Sequence, residues 1–225
     1  MREAASKSQN WRERLSMSRN LGKGFAAPGG EFTRALYEWA LTDKGNFLGG
    51  LLIGRRIVEL GSGMMPYGYA LASTCKAKNF VAVEPFYGDV QLSSGFSWID
   101  KRGGNLKRIP FKVETTDMLE YLSKRPDGLL CMLACGIEDC ILPGLDYRRK
   151  VEGELSRVLE SDAFFISSQS DLYPRDLRSL EISYPRPSNP RVFDRLRLHG
   201  RKEAFERYGD KIEGLIHGNY LEPRS

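Results

Sequence analysis

The chain has 225 residues, of which 28% are charged and 11% are aromatic. This composition excludes a disordered or membrane-embedded chain, and the length suits one α/β domain with a full hydrophobic core. The net charge of +5 permits an acidic partner without requiring one. Since no run approaches the ~20 apolar residues of a membrane-spanning helix, we expect no membrane partner. The composition does not fix an oligomeric state.

The cysteines indicate a reducing compartment. Cys131, Cys135 and Cys140 lie in and just after one apolar run, and the fourth cysteine is Cys75. Side chains along a single strand are poorly placed for a disulfide. The Cys-x2-Cys spacing typical of zinc sites is absent, and both histidines are distant in sequence. We therefore expect buried thiols, no metal site and a cytoplasmic protein.

The N-terminal segment and the first helix differ sharply in pattern. Residues 1–30 are dominated by arginine, serine and lysine and predict a flexible arm. Residues 31–225 are then expected to form a single domain. The first helix is predicted at Glu31–Asp43, because apolar residues recur there at helical spacing, and Gly45 is a plausible stop.

Strands and helices alternate beyond this helix, and the strands are continuously apolar. That pattern predicts an α/β fold: a three-layer, doubly wound, mostly parallel sheet behind a helical N-terminal extension. The pattern weakens in the proline- and arginine-rich segment 172–201, which precedes a final predicted helix at Lys202–Ile216. The predicted strands are 56–60, 80–83, 111–115, 129–134 and 163–167, and the helices between them are 66–76, 118–124 capped by Asp117, and 146–159 capped by Asp146.

Acidic residues stand at the ends of the first three predicted strands, where the ligand of such a sheet binds. Glu59 precedes the glycine-rich turn Gly61-Ser62-Gly63, Glu84 ends the second strand, and Asp117 follows the third. Pro66 stands where the dinucleotide fingerprint has its third glycine. The loop therefore favours a ligand without phosphates, with an amine near Glu59, ribose hydroxyls on Glu84 and an adenine amine near Asp117.

These segments resemble the class I S-adenosylmethionine-dependent methyltransferases. Val58–Gly63 is similar to the first motif of that family, Val83-Glu84 to its ribose-binding acid, and Thr116-Asp117-Met118 to its adenine-binding segment. Ala134–Asp139 occupies the place of the motif after strand four, and the resemblance covers roughly residues 50–168.

The resemblance implies a class I methyltransferase fold, S-adenosylmethionine as cofactor and S-adenosylhomocysteine as product. Glu138, beside the expected methyl position, is the candidate catalytic base, and no metal is implied. The implied cofactor-binding residues are Glu59, Gly61, Ser62, Gly63, Glu84, Pro85, Phe86, Thr116, Asp117, Met118, Ala134 and Cys135.

The sequence leaves the methyl acceptor open, and we expect a small molecule. Nucleic acid is the minority interpretation, because arginines gather near aromatic residues at 186, 191, 195, 197 and 201 but no RNA-binding motif accompanies them. His199 and His217 are expected to be ordinary surface or C-terminal residues.

Other functional classes stay open beside methyl transfer. Met65 in the glycine-rich loop motivates an inactive, cofactor- or partner-binding protein of the same fold. RNA or protein methylation is a further alternative. An aminopropyl transferase would need an acidic polyamine pocket after strand four, and a nucleotide-dependent oxidoreductase is disfavoured by Pro66 and Glu59.

Overall fold

A computed structural model of the protein describes residues 27–62, 67–85, 109–137 and 142–219. The strands in these ranges are β1 (Arg56–Leu60), β2 (Asn79–Val83), β3 (Phe111–Glu114), β4 (Cys131–Cys135), β5 (Phe164–Ser168), β6 (Arg178–Arg186) and β7 (Asn189–Gly200). The helices are α1 (Ala27–Ala40), α2 (Phe47–Leu52), α3 (Tyr67–Thr74), α4 (Met118–Ser123), α5 (Leu145–Val158) and α6 (Lys202–Asn219).

The described strands form one sheet of seven in the order β3-β2-β1-β4-β5-β7-β6. The first five in this order are parallel: Ile57 of β1, for example, pairs with Phe80 of β2 on one side and with Cys131 of β4 on the other. β7 runs antiparallel to β5 and β6. Every residue of β4 and β5 is buried, as expected for strands covered on both faces.

Successive strands are added first on one side of β1 and then on the other, which places helices on both faces of the sheet. It moves outward from β1 to β2 and β3, then crosses to β4 and β5. Because such crossovers are right-handed, α3 lies on one face and α4 and α5 lie on the other. In agreement, α1 packs against α3, and α4 packs against α5. The predicted three-layer, doubly wound, mostly parallel sheet is confirmed.

Two helices, α1 and α5, differ from their predicted ends for local reasons. α1 begins at Ala27 and ends at Ala40, before the predicted Asp43. There the Thr42 hydroxyl donates to the Trp39 carbonyl at 2.7 Å, a bond that competes with continuation of the helix. The cap position of α5 is Gly144 instead of the predicted Asp146, which lies in the first turn, where its charge favours the helix dipole.

The segment with the weakest sequence pattern forms the longest strands. β6 and β7 pair as a hairpin, with the prolines gathered near its turn at 185, 187 and 190. The expectation that His199 lies on the surface is wrong. His199 is fully buried opposite Phe165 of β5, and its ring stacks on that residue with a centroid separation of 5.4 Å.

Candidate cofactor site

The glycine-rich turn after β1 is tied to the end of β2. The amide of Gly61 donates to the Val83 carbonyl at 2.9 Å, and the amide of Ser62 donates to the same oxygen at 3.3 Å. Gly61 has φ +64°, and a Cβ at this position would collide with the side chain of Ile137. Glycine is therefore required twice over, by the backbone conformation and by the close approach.

Glu59 is a buried acid at the carboxyl end of β1. Its side chain is 2% exposed, and the Thr33 hydroxyl of α1 donates to Oε1 at 3.4 Å. The carboxyl group lies directly against Gly68 in the first turn of α3, where a Cβ would overlap it. Burial raises the pKa of Glu59 to about 8, and the charge of Glu84 adds to the rise. A cation would stabilise the ionised form of this group.

Glu84 lies beside Glu59 at the end of the neighbouring strand. Glu84 is 6% exposed, and its backbone amide donates to the Glu114 carbonyl of β3 at 3.1 Å. Pro85, which follows it, is partly exposed. Two acids are thus buried together at one edge of the sheet, an arrangement that is costly unless a cationic or hydrogen-bond-donating group compensates it.

The predicted adenine segment begins α4. Asp117 caps this helix, as predicted: its Oδ1 accepts from the Glu120 amide at 3.0 Å. The same oxygen accepts from the Tyr147 hydroxyl of α5 at 3.0 Å, so neither bond uses Oδ2. The preceding Thr116 has a buried Oγ1 with no hydrogen-bond partner among the described residues. Met118, the first residue of the helix, is half-buried.

The end of β4 forms the opposite wall. Ala134 and Cys135 are buried, and burial, together with the nearby Glu59, raises the pKa of the Cys135 thiol. The chain then turns at Gly136, which has φ +68° and donates to the Ser168 carbonyl at 2.9 Å. This turn brings the side chain of Ile137 against Gly61.

Three of the predicted site residues, Gly63, Phe86 and Glu138, lie outside the described residues. The others are brought to the carboxyl edge of β1, β2, β3 and β4. Sequence reasoning missed the residues that contact the acids: Thr33, which donates to Glu59, Gly68, which leaves room for the Glu59 carboxyl group, and Tyr147, which donates to Asp117. Only Gly68, a glycine near the start of a predicted helix, gave any signal in the sequence.

Three further observations on the described ranges concern the cysteines, metal sites and membrane-spanning helices. Cys75, Cys131 and Cys135 are buried free thiols. No group of three or more His, Cys, Asp or Glu side chains in these ranges is arranged to hold a metal ion. No helix there has both the length and the apolar character needed to cross a membrane.

Comparison with known proteins gives structural neighbours but no sequence relatives. No family model matches the chain, and no curated protein matches it. Spermidine synthase from Thermotoga maritima superposes with a TM-score of 0.53 at 9% identity, over 84% of this chain and 71% of that one. A SAM-dependent methyltransferase from Aquifex aeolicus has a TM-score of 0.45 at 14% identity, over 72% and 92%. A tRNA methyltransferase from B. subtilis has a TM-score of 0.45 at 15% identity, over 84% and 74%.

At sequence identities of 9–15%, these structural neighbours are evidence for the fold of the chain and not for its activity. The chain therefore has the fold of the class I S-adenosylmethionine-dependent methyltransferases.

Proposed function

We propose that the protein binds S-adenosylmethionine at the carboxyl edge of β1 and β2 and transfers its methyl group to an acceptor. The observation that carries this proposal is the pair of buried acids, Glu59 and Glu84, beside the Gly61 turn. A ligand with an ammonium group, a sulfonium and a ribose offers positive charge and hydroxyl donors to such a pair of acids.

Each part of the site suits one part of this ligand. Glu59 would attract the ammonium group, and Glu84 would accept hydrogen bonds from both ribose hydroxyls. Asp117 Oδ2 and the buried Thr116 Oγ1 are polar atoms suited to the adenine ring. The tight turn at Gly61, with its positive φ, would bring the backbone near the ligand.

The bound cofactor would supply an electrophilic methyl carbon, whose bond to sulfur breaks as the acceptor's nucleophile attacks. The protein's own contribution is alignment and the exclusion of water by the buried walls at Cys135 and Ile137. A base would then remove the proton of the acceptor, and Glu138 remains our candidate for it.

Replacement of Glu84 tests the site directly. We expect Glu84→Ala to weaken S-adenosylmethionine binding by about 10- to 100-fold, the value of charge-assisted hydrogen bonds to the ribose. Calorimetric titration measures this, with Glu203→Ala, which removes an exposed acid of α6, as the matched control. Unchanged affinity in Glu84→Ala would disprove the ribose assignment.

Two further measurements separate an enzyme from a binding protein. Mass spectrometry of ligand carried through purification should find S-adenosylmethionine or S-adenosylhomocysteine. Turnover over a panel of small-molecule, RNA and protein acceptors should then produce S-adenosylhomocysteine. Tight binding with no turnover on any acceptor would instead support the inactive cofactor-binding alternative.

A further inference from the structure

The β6–β7 hairpin extends past the sheet on the side where the cofactor site lies. β7 pairs with β5 only from Leu196, opposite Ser168, to Gly200, opposite Phe164. Of its earlier residues, Asn189 and 193–195 pair with β6, and the register shifts at 190–192 between these pairs. Since β5 is parallel to β4 and β1, residues 183–195 project beyond the carboxyl edge of the sheet. We call these residues the ribbon.

The ribbon exposes an aromatic residue that has an arginine on each side of it along the chain. Side chains alternate along a regular strand, so Phe193 and Arg195 of β7 share a face, and Arg191 lies just beyond them where the register shifts. All three are exposed, and Phe193 is 52% exposed despite its large apolar ring. The opposite face holds Asp194, which is buried, and Leu196, which belongs to the core.

The positive charges of Arg191 and Arg195 are not neutralised within the described part of the chain. The acid of the ribbon, Asp194, is held by Arg186 through two bonds of 2.7 and 2.9 Å. It also accepts from the Gln169 amide at 3.3 Å. Neither Arg191 nor Arg195 forms an ion pair with a described carboxylate, whereas the next arginine on the face, Arg197, is bound to Glu181 at 2.7 Å.

We propose that the ribbon binds single-stranded nucleic acid, with phosphates on Arg191 and Arg195 and a base stacked on Phe193. The two arginines lie four positions apart in β7, at most about 13 Å, so their long side chains can reach phosphates on either side of a stacked base. A single ring between two guanidinium groups suits a nucleotide better than a lipid surface, which would need a broader apolar face. The open, exposed face would leave a small molecule unburied.

The position of the ribbon connects it to methyl transfer, and this step rests on the proposed function. β7 lies three strand positions from β1 in the sheet, a lateral separation of roughly 14 Å. A strand of nucleic acid held on the ribbon can therefore extend across the carboxyl ends of β5 and β4 toward the cofactor. The acceptor class that follows is a base or ribose of an unpaired nucleotide.

The experiment measures binding of a fluorescein-labelled single strand of mixed sequence, about 12 nucleotides long, as RNA and as DNA. We expect Arg191→Gln with Arg195→Gln to weaken binding on the order of 25-fold at about 0.1 M salt and to reduce the slope of log K against log salt by about 1.4. We expect Phe193→Ala to weaken it on the order of tenfold. The matched control is Arg178→Gln, which removes an exposed arginine at the other end of the hairpin and should change little.

The outcomes separate this proposal from that of the cofactor site. Selective loss of binding in the ribbon variants, with S-adenosylmethionine affinity unchanged, supports the ribbon, and the ratio of RNA to DNA affinity identifies the preferred sugar. The proposal is overturned if the wild-type protein binds neither strand, if Arg178→Gln loses as much binding as the ribbon variants, or if anionic lipid vesicles bind and nucleic acid does not. Failure to bind S-adenosylmethionine while nucleic acid still binds would overturn the proposed function alone.

Discussion

Two titratable side chains, Glu59 and His199, are buried in surroundings that favour their neutral forms. Glu59 lies in the candidate site, where a cationic ligand would relieve the cost of its charge. His199 lies far along the chain between Phe165 and Tyr173, whose ring centroid is 5.0 Å away. Both ring nitrogens of His199 are buried without a hydrogen-bond partner among the described residues. This imidazole is compatible with the fold only in its neutral form.

Acid should therefore destabilise the protein through His199. Burial, together with a smaller contribution from the charge of Arg197, lowers the pKa of His199 from 6.5 to about 4. The neutral ring stabilises the fold above pH 6.5, and that contribution is lost as the pH falls toward about 4, by up to about 3 kcal/mol in all. Because the raised pKa of Glu59 changes stability in the opposite direction over this range, the loss is measured as the difference between the wild type and His199→Phe in urea unfolding at several pH values between about 7 and 4.5.

Replacement of each histidine in turn separates their contributions. His199→Phe keeps the stacked ring without a titratable group, and it should lose less stability in acid than the wild type. His217→Asn, which replaces the other histidine of the chain, should keep the acid sensitivity. Equal acid sensitivity in His199→Phe and the wild type would show that other groups govern the pH dependence.

Individual helices are constrained by what lies against them, and α3 is the clearest case. It packs so closely under the site that the Glu59 carboxyl group occupies the space of a side chain at Gly68. α5, by contrast, has a glycine at position 153 with open space around it. Gly68 and Gly153 both lie in helices. They differ mainly in the atoms that an added methyl group would contact.

Alanine substitution should have opposite effects at these two glycines. Gly153→Ala should stabilise the protein by about 0.5–1 kcal/mol, because alanine favours a helix. Gly68→Ala should destabilise it by roughly 1–3 kcal/mol despite the same gain, since Glu59 must move. Urea midpoints compare the pair, and S-adenosylmethionine affinity should fall only in Gly68→Ala. Equal stabilisation by both substitutions would mean that the carboxyl group has room to shift.

Arg55 connects distant parts of the whole molecule at the amino edge of the sheet. It donates to the Leu51 carbonyl at 3.0 Å, Glu160 at 2.5 Å, Asp162 at 2.9 Å and the Tyr208 hydroxyl at 3.1 Å. These partners join α2, the turn before β5, and α6 near the C-terminus. The Arg55 side chain is 10% exposed, so these charges are screened less than surface pairs are.

Loss of Arg55 should therefore affect global stability more than loss of an exposed arginine on the same acid. Arg55→Met should lower the free energy of unfolding by roughly 2–4 kcal/mol, because two carboxylates and two carbonyls each lose a donor. Arg207 also pairs with Asp162, but its side chain is 60% exposed. Arg207→Gln should cost less than about 1 kcal/mol. Chemical denaturation compares the two, and similar losses would contradict the central role of Arg55.

The amino-acid sequence by itself determined the layered, mostly parallel fold and the acids at the strand ends. Continuous apolar strands separated by helical repeats admit few arrangements, since parallel strands need covered faces and right-handed crossovers. The glycine turn after β1 also follows from local chemistry, because a positive φ and a close approach both require glycine. These features depend on neighbours in sequence or on the regular period of a strand or helix.

Only the tertiary structure decided which side chains meet. Thr33 reaches Glu59, Tyr147 reaches Asp117, and Phe165 buries His199, each across long sequence separations that no local pattern encodes. The same is true of the ribbon: a proline- and arginine-rich segment became two paired strands because β5 offered β7 an open edge. Burial and pairing depend on the packing of the whole chain, and so does the charge that the ribbon presents.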